Sequence, residues 1–190
     1  RTFGRHTYVG RVFDGLTNGF DRMLIAAHVG AASAGMYSIA ATMSQPLGMV
    51  SRATSASAYR TMATAPAMPR RLLRVNIAWA VGGGIALVAL CMVLIPLAFT
   101  AKYDDALGLL PLVAAGIAIA SVNEPFHAYF SSHGAGRTLR TLSVATSSLN
   151  VVLMLVLIPQ LGATGAALAL IASSTLNLMM NLRAYARRSA

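Results

Sequence analysis

The amino-acid sequence predicts an all-α fold: a polytopic membrane protein in which residues 1–190 form one bundle of about six transmembrane helices. Three observations lead there. Hydrophobic residues make up 56% of the chain and charged ones 11%, with a mean hydropathy of +0.65, whereas a soluble domain carries about a quarter charged residues. Apolar runs recur at the roughly 20-residue length that a hydrocarbon slab of about 30 Å demands. The basic residues, finally, gather in alternate connecting segments, as the positive-inside rule requires. The same composition excludes a disordered chain and a coiled coil. Nucleic-acid binding is also excluded, because the aromatic residues are not interleaved with the basic loops despite a net charge of +10.

The first span, 8–29, is amphipathic. Thr7, Arg11, Asp14, Asn18, Asp21 and Arg22 fall within an arc of roughly 100°, and Val9, Val12, Phe13, Leu16, Phe20 and Met23 lie opposite. It either crosses the membrane with its charged side on a hydrated cavity or lies along the cytoplasmic surface. The charge distribution favours crossing. Arg52, Arg60, Arg70, Arg71 and Arg74 then share the cytoplasmic side with Arg1, Arg5, Arg11, Arg137, Arg140, Arg183, Arg187 and Arg188. That is thirteen of fifteen basic residues, leaving Arg22 and Lys102 outside. Both termini are expected in the cytoplasm, with outer loops near 28–35, 102–105 and 159–163. Arg11 and Asp14, three apart, are placed to neutralise each other in part.

The second span, 34–57, carries Ser38, Thr42, Gln45, Arg52 and Tyr59 on one arc. The third, 75–99, holds no charge and no polar stripe, so it is expected to face lipid all round. Its lone Cys91 reads as small hydrophobic packing, and Gly82-Gly83-Gly84 with Ala86 reads as a close-packing face, like Gly15 and Gly19 in the first span. The fourth, 107–130, is interrupted by Asn123, Glu124 and Pro125. Residues 141–182 then run without a charge for about 63 Å of helix, twice a membrane thickness, so the chain must fold back. Pro159-Gln160-Leu161-Gly162 supplies the turn, giving a fifth span at 139–158 and a sixth at 163–183. Ser143, Thr146, Ser147 and Asn150 on the fifth, and Ser173, Ser174, Asn177 and Asn181 on the sixth, read chiefly as hydrogen-bonding glue between helices.

The candidate substrate-contacting residues are therefore Arg11, Asp14, Asn18, Arg22, Gln45 and Arg52. Several Arg and Asp side chains on one membrane face are tolerable only against water, a polar ligand or opposite charges. Glu124 is the acid well inside an apolar helix, and His127 lies one turn on. The pair is a candidate for proton or cation coupling; the alternative is that Glu124 and Asn123 satisfy a neighbouring helix or the backbone freed at Pro125. Arg70, Arg71 and Arg74 read chiefly as a topological anchor, or else as a grip for anionic lipid headgroups or a diphosphate entering from the cytoplasm. No HExxH, P-loop, dinucleotide fingerprint or nucleophile elbow occurs, so an enzyme, a cofactor and a metal site are not expected.

Phe20-Asp21-Arg22-Met23-Leu24-Ile25, followed by Gly30-Ala31-Ala32-Ser33-Ala34-Gly35-Met36-Tyr37-Ser38-Ile39-Ala40, resembles a D-x-hydrophobic … G-x-x-x-x-G-x-Y-x-x-A segment of polysaccharide-exporting flippases. These belong to the multidrug/oligosaccharidyl-lipid/polysaccharide (MOP) exporter superfamily. Asn150-Val151-Val152-Leu153 and Leu157-Ile158-Pro159-Gln160-Leu161-Gly162-Ala163-Thr164-Gly165-Ala166-Ala167 resemble its N … L-I-P-x-x-G-x-x-G-A-A hairpin. Both motifs sit in the second half of such carriers. The resemblance implies a twelve-helix carrier of which this chain is the C-terminal six. Such a carrier flips an undecaprenyl-diphosphate-linked oligosaccharide across the bacterial inner membrane by alternating access. Arg11, Arg22 and Arg52 would then attract the diphosphate. Implied partners are the lipid bilayer, an N-terminal half or second chain, and a polysaccharide polymerase or glycosyltransferases. Two other functions fit the residues: a cation-coupled drug or metabolite antiporter of the same superfamily, using Asp14, Asp21 and Glu124, or a non-transporting fragment or scaffold in a polysaccharide-assembly complex.

Overall fold

The computed structural model describes residues 19–65, 67–98 and 104–189, and every regular element among them is helical. In chain order these are α1 (Phe20–His28), α2 (Ala31–Ser57), α3 (Tyr59–Thr64), α4 (Arg70–Ala78), a π-helical turn (Trp79–Gly83), α5 (Gly84–Ala98), α6 (Asp104–Ser132), α7 (Gly136–Leu161) and α8 (Ala163–Ser189). Four stretches are long and apolar enough to cross a membrane: Arg70–Leu94, Leu107–Ser132, Gly136–Leu161 and Ala163–Arg188. α2 has the length to cross as well, about 40 Å for 27 residues, but its Ser, Thr, Gln and Arg side chains make it more polar. Of the first expected span, α1 is the described part; Arg11, Asp14, Gly15 and Asn18 lie outside the described residues.

The helix ends differ from expectation for identifiable reasons. α7 continues through Pro159 and stops at Gly162, whose φ of 61° and ψ of −137° suit a residue without a Cβ. Pro159 removes one N–H from the helical ladder, but the helix carries on past it, and the Gly162 N–H closes it on the Ile158 carbonyl at 2.8 Å. α8 runs to Ser189 rather than 183. Arg187 and Arg188 lie in its last turn, where cations complement the helix dipole, and Tyr185 packs edge-on against Phe126 and Tyr129 at 6.0 and 5.3 Å. The third rod begins at Arg70 rather than 75 and contains the π turn.

α6 is the central post, packed chiefly against α2 and α8. Gly48 approaches Ile117 while Arg52 meets Glu124, so α2 and α6 run parallel. Gly116 stands against Leu170 while Asn123, seven residues on, bonds to both Ser174 and Asn181, which sets α8 parallel to α6 as well. α4 runs antiparallel to α2, because Thr54 reaches Asn76 while Leu47 receives the Trp79 indole N–H at 3.2 Å. Close approach needs Gly116: a Cβ there would stand 2.8 Å from Leu170 Cγ and 3.4 Å from the Ile171 nitrogen. The rod through α5 does not face lipid all round. Ala80 and Cys91 are buried, and Gly84 sits against Ala118 and Leu47, while Val81, Ile85, Leu90, Val93 and Leu97 point outward.

Two apolar clusters hold the bundle. One joins Ile25, Tyr37, Ala40, Cys91, Leu110, Val113, Met154, Ile158 and Ala166; the other joins Met62, Met68, Phe126, Tyr129, Phe130 and Leu142. The second lies at the end where the linkers meet: the Met68 N–H donates to the Tyr185 hydroxyl at 3.2 Å, and the His133 ring meets the Ala65 carbonyl at 3.2 Å. The chain segments carrying Arg60, Arg70, Arg71, Arg137, Arg140, Arg183, Arg187 and Arg188 therefore collect at one end of the bundle. The Gly162 turn, 3.5 Å from Val29 for an added Cβ, marks the other.

Candidate functional site

A polar cleft of about 450 Å³ runs between α1, α2, α6, α7 and α8. Its wall on α2 is made by Tyr37, Ala41, Gln45, Gly48, Met49 and Arg52, positions spaced by three or four and so on one helical face. From Tyr37 to Arg52 this face spans about 22 Å, most of a bilayer core. Gln45 and Arg52 are on it as expected from sequence. Ser38 turns back instead, donating its hydroxyl to the Ala34 carbonyl at 2.7 Å.

Charges stand at both ends of the cleft. Asp21 and Arg22 reach one end from α1, and the buried Tyr37 hydroxyl is a hydrogen-bonding neighbour of the Asp21 carboxylate. At the other end Arg52 Nε donates to Glu124 Oε1 at 3.1 Å, with side-chain exposures of 71% and 30%. This ion pair is accessible, so it can open to a competing anion without stranding a buried charge. Two basic and two acidic side chains among the described residues make the cleft mixed in sign rather than cationic.

Glu124 and His127 do not open into the same space. His127 lines a smaller pocket of about 160 Å³ with Ser143, Thr146, Ser147, Asn150, Ser173, Ser174 and Asn177. Three residues leave two side chains about 60° apart around a helix, and here that offset falls across the boundary between the two spaces. Glu124 is paired across the cleft with Arg52. Asn150 lines both spaces and accepts from the Ser173 hydroxyl at 3.3 Å. The polar residues of the last two helices thus both bond between helices and line a cavity. The bonding is clearest at Asn181, whose Nδ2 donates to Asn123 Oδ1 at 2.9 Å and to Asn177 Oδ1 at 3.1 Å.

Arg22, Gln45, Arg52 and Glu124 are therefore brought to one cleft, while Arg11, Asp14 and Asn18 lie outside the described residues. Asp21, Tyr37, Ser121 and Asn150 line it too, beyond the site residues expected from sequence. Asp21 and Asn150 are visible on the polar arcs of their helices; Ser121 carries no such signal. Among the described residues no three His, Cys, Asp or Glu side chains converge as a metal site would need.

No family model and no curated protein matches the chain. Among solved structures its fold matches that of a MOP superfamily transporter from Pyrococcus furiosus with a TM-score of 0.76, at 20% identity over 95% of this chain. That transporter was described as having a binding pocket of reversed polarity that suggests a different function. The chain spans 43% of its length, so the shared fold is that of less than half of the transporter.

Proposed function

We propose that this chain is one helical bundle of an alternating-access carrier in a bacterial inner membrane, and that it moves an undecaprenyl-diphosphate-linked oligosaccharide between leaflets. The observation that carries this reading is the charged cleft along α2, lined by Arg22, Arg52, Asp21 and Glu124. A carrier of this kind needs no covalent chemistry. It needs cations to hold a diphosphate, a hydrated path for sugars, and a second wall that closes on alternate sides. Arg22 and Arg52 supply the cations, while Gln45, Asn150 and Ser121 offer hydrogen bonds to hydroxyl-rich cargo. Arg11, Asp14 and Asn18 would extend the same lining if the first span crosses. The second wall comes from a further bundle, in the same polypeptide or another chain. The basic end of the bundle faces the cytoplasm in this proposal, with both termini on that side.

The test is reconstitution of the assembled carrier in liposomes with a fluorescent lipid-diphosphate oligosaccharide whose outer-leaflet fraction is quenched. Arg52→Ala is expected to slow flipping roughly tenfold or more, the loss of a charge-assisted hydrogen bond to an anion. Equal rates in wild type and variant overturn the assignment. Glu124 favours a second reading, cation-coupled export, because a carboxylate inside a membrane bundle can exchange protons. Dye export that depends on a pH gradient and vanishes in Glu124→Gln, with no lipid flipping in either protein, selects that reading instead.

A further inference from the structure

A third cavity, of about 540 Å³, opens at the basic end between the first turns of α7 and the last turns of α8, away from the cleft. Arg137, Arg183, Arg187 and Arg188 line it, and no carboxylate does so among the described residues. The acids Asp21 and Glu124 line the cleft instead. Four guanidinium groups around one space repel one another unless an anion enters it. Arg188 is already held in place, its guanidinium carbon 5.6 Å from the centre of the Phe130 ring.

We infer that this pocket binds the phosphodiester headgroup of an anionic phospholipid from the leaflet at the basic end. A lipid fits better than a free phosphate because the pocket has an apolar side as well. Leu142, Met180 and Ala184 line it beside Thr138 and Thr141, and Met179 and Leu182 on the same stretch of α8 are 53% and 48% exposed. Acyl chains can therefore lie along α8 while the headgroup sits among the arginines. Basic pockets between transmembrane helices recognise anionic headgroups in this way, each Arg or Lys near the surface contributing about 1 kcal/mol, or roughly fivefold in affinity. Helix-dipole complementation accounts for basic residues at the end of α8, but not for Arg137, which stands in the first turn of α7 where a cation is unfavourable.

The test uses the full chain in detergent micelles with added phosphatidylglycerol or phosphatidylcholine, and reads retained lipid by native mass spectrometry. Wild type is expected to retain phosphatidylglycerol selectively. Arg137→Gln/Arg183→Gln is expected to lose it roughly thirtyfold, and Thr138→Glu, which sets a carboxylate in the pocket without removing an arginine, to lose it too. Arg60→Gln/Arg70→Gln, at the same end but outside the pocket, is expected to retain it. Equal loss in both arginine pairs means diffuse surface charge and overturns the site. So does displacement of the lipid by millimolar inorganic phosphate, which would make the ligand a free anion.

Discussion

Asn181 is fully buried in the C-terminal part of α8, and its amide holds Asn123 of α6 and Asn177 of its own helix. In a membrane bundle such a bond adds modestly, because the separated helices find other partners; about 0.6 kcal/mol is typical and roughly 1.7 an upper measure. Asn181→Leu should therefore lower stability by roughly 0.6–1.7 kcal/mol, read as a shift in detergent-induced unfolding, and a neutral result would remove this contact from the account of how α6 and α8 are joined. The residues of the cleft obey a different logic. Arg52 and Glu124 are exposed enough to give their positions to function rather than to folding, so their substitution is expected to change the proposed transport while leaving the unfolding transition in place.

Helices are legible in the sequence where apolar runs are long, and their ends are legible only where a backbone constraint stands nearby. The turn after α7 is marked by Gly162, yet Pro159 suggests an end one helical turn too early, because a proline near a C-terminus need not end a helix. The π turn has no sequence signature beyond its glycines, since an extra residue in a turn leaves composition and hydropathy unchanged. It is a five-residue stretch of wider helix, Trp79–Gly83, and such turns concentrate where a helix must depart from regular register. Here the Trp79 N–H crosses to the Leu47 carbonyl, one residue after Pro46 in α2. Trp79→Phe removes that bond while keeping an aromatic ring, and should cost about 0.5–1.5 kcal/mol. An unchanged unfolding midpoint would show that the ring's packing, and not its N–H, ties the two helices. The site is legible to a similar degree: helical arcs pick out Gln45, Arg52 and Arg22, but which arcs face one another is a property of helix packing. That is why sequence alone matches Glu124 with His127, its neighbour along the chain, and not with Arg52, its neighbour in space.

At the scale of the molecule, the linkers and helix ends bearing most of the arginines converge on one end, and the Gly162 turn lies at the other. If the proposed orientation holds, these ends face opposite aqueous compartments. In a Cys91→Ala background, a membrane-impermeant maleimide applied to intact spheroplasts should label Gln160→Cys and not Ala67→Cys, with the pattern reversed in inverted vesicles. Labelling of both from one side would refute the orientation. The exposed valines and leucines of α5, α7 and α8 are then in contact with lipid or with a companion bundle. The pairing of Arg52 with Glu124 bears on the half of a transport cycle that carries nothing. Lone arginines would have to be dehydrated uncompensated each time an empty cavity shut, whereas an internal counter-ion lets the vacant protein reset with its charge already balanced. In the proposed carrier this carboxylate therefore governs the return stroke, and net movement of cargo depends on it more than one-for-one exchange does.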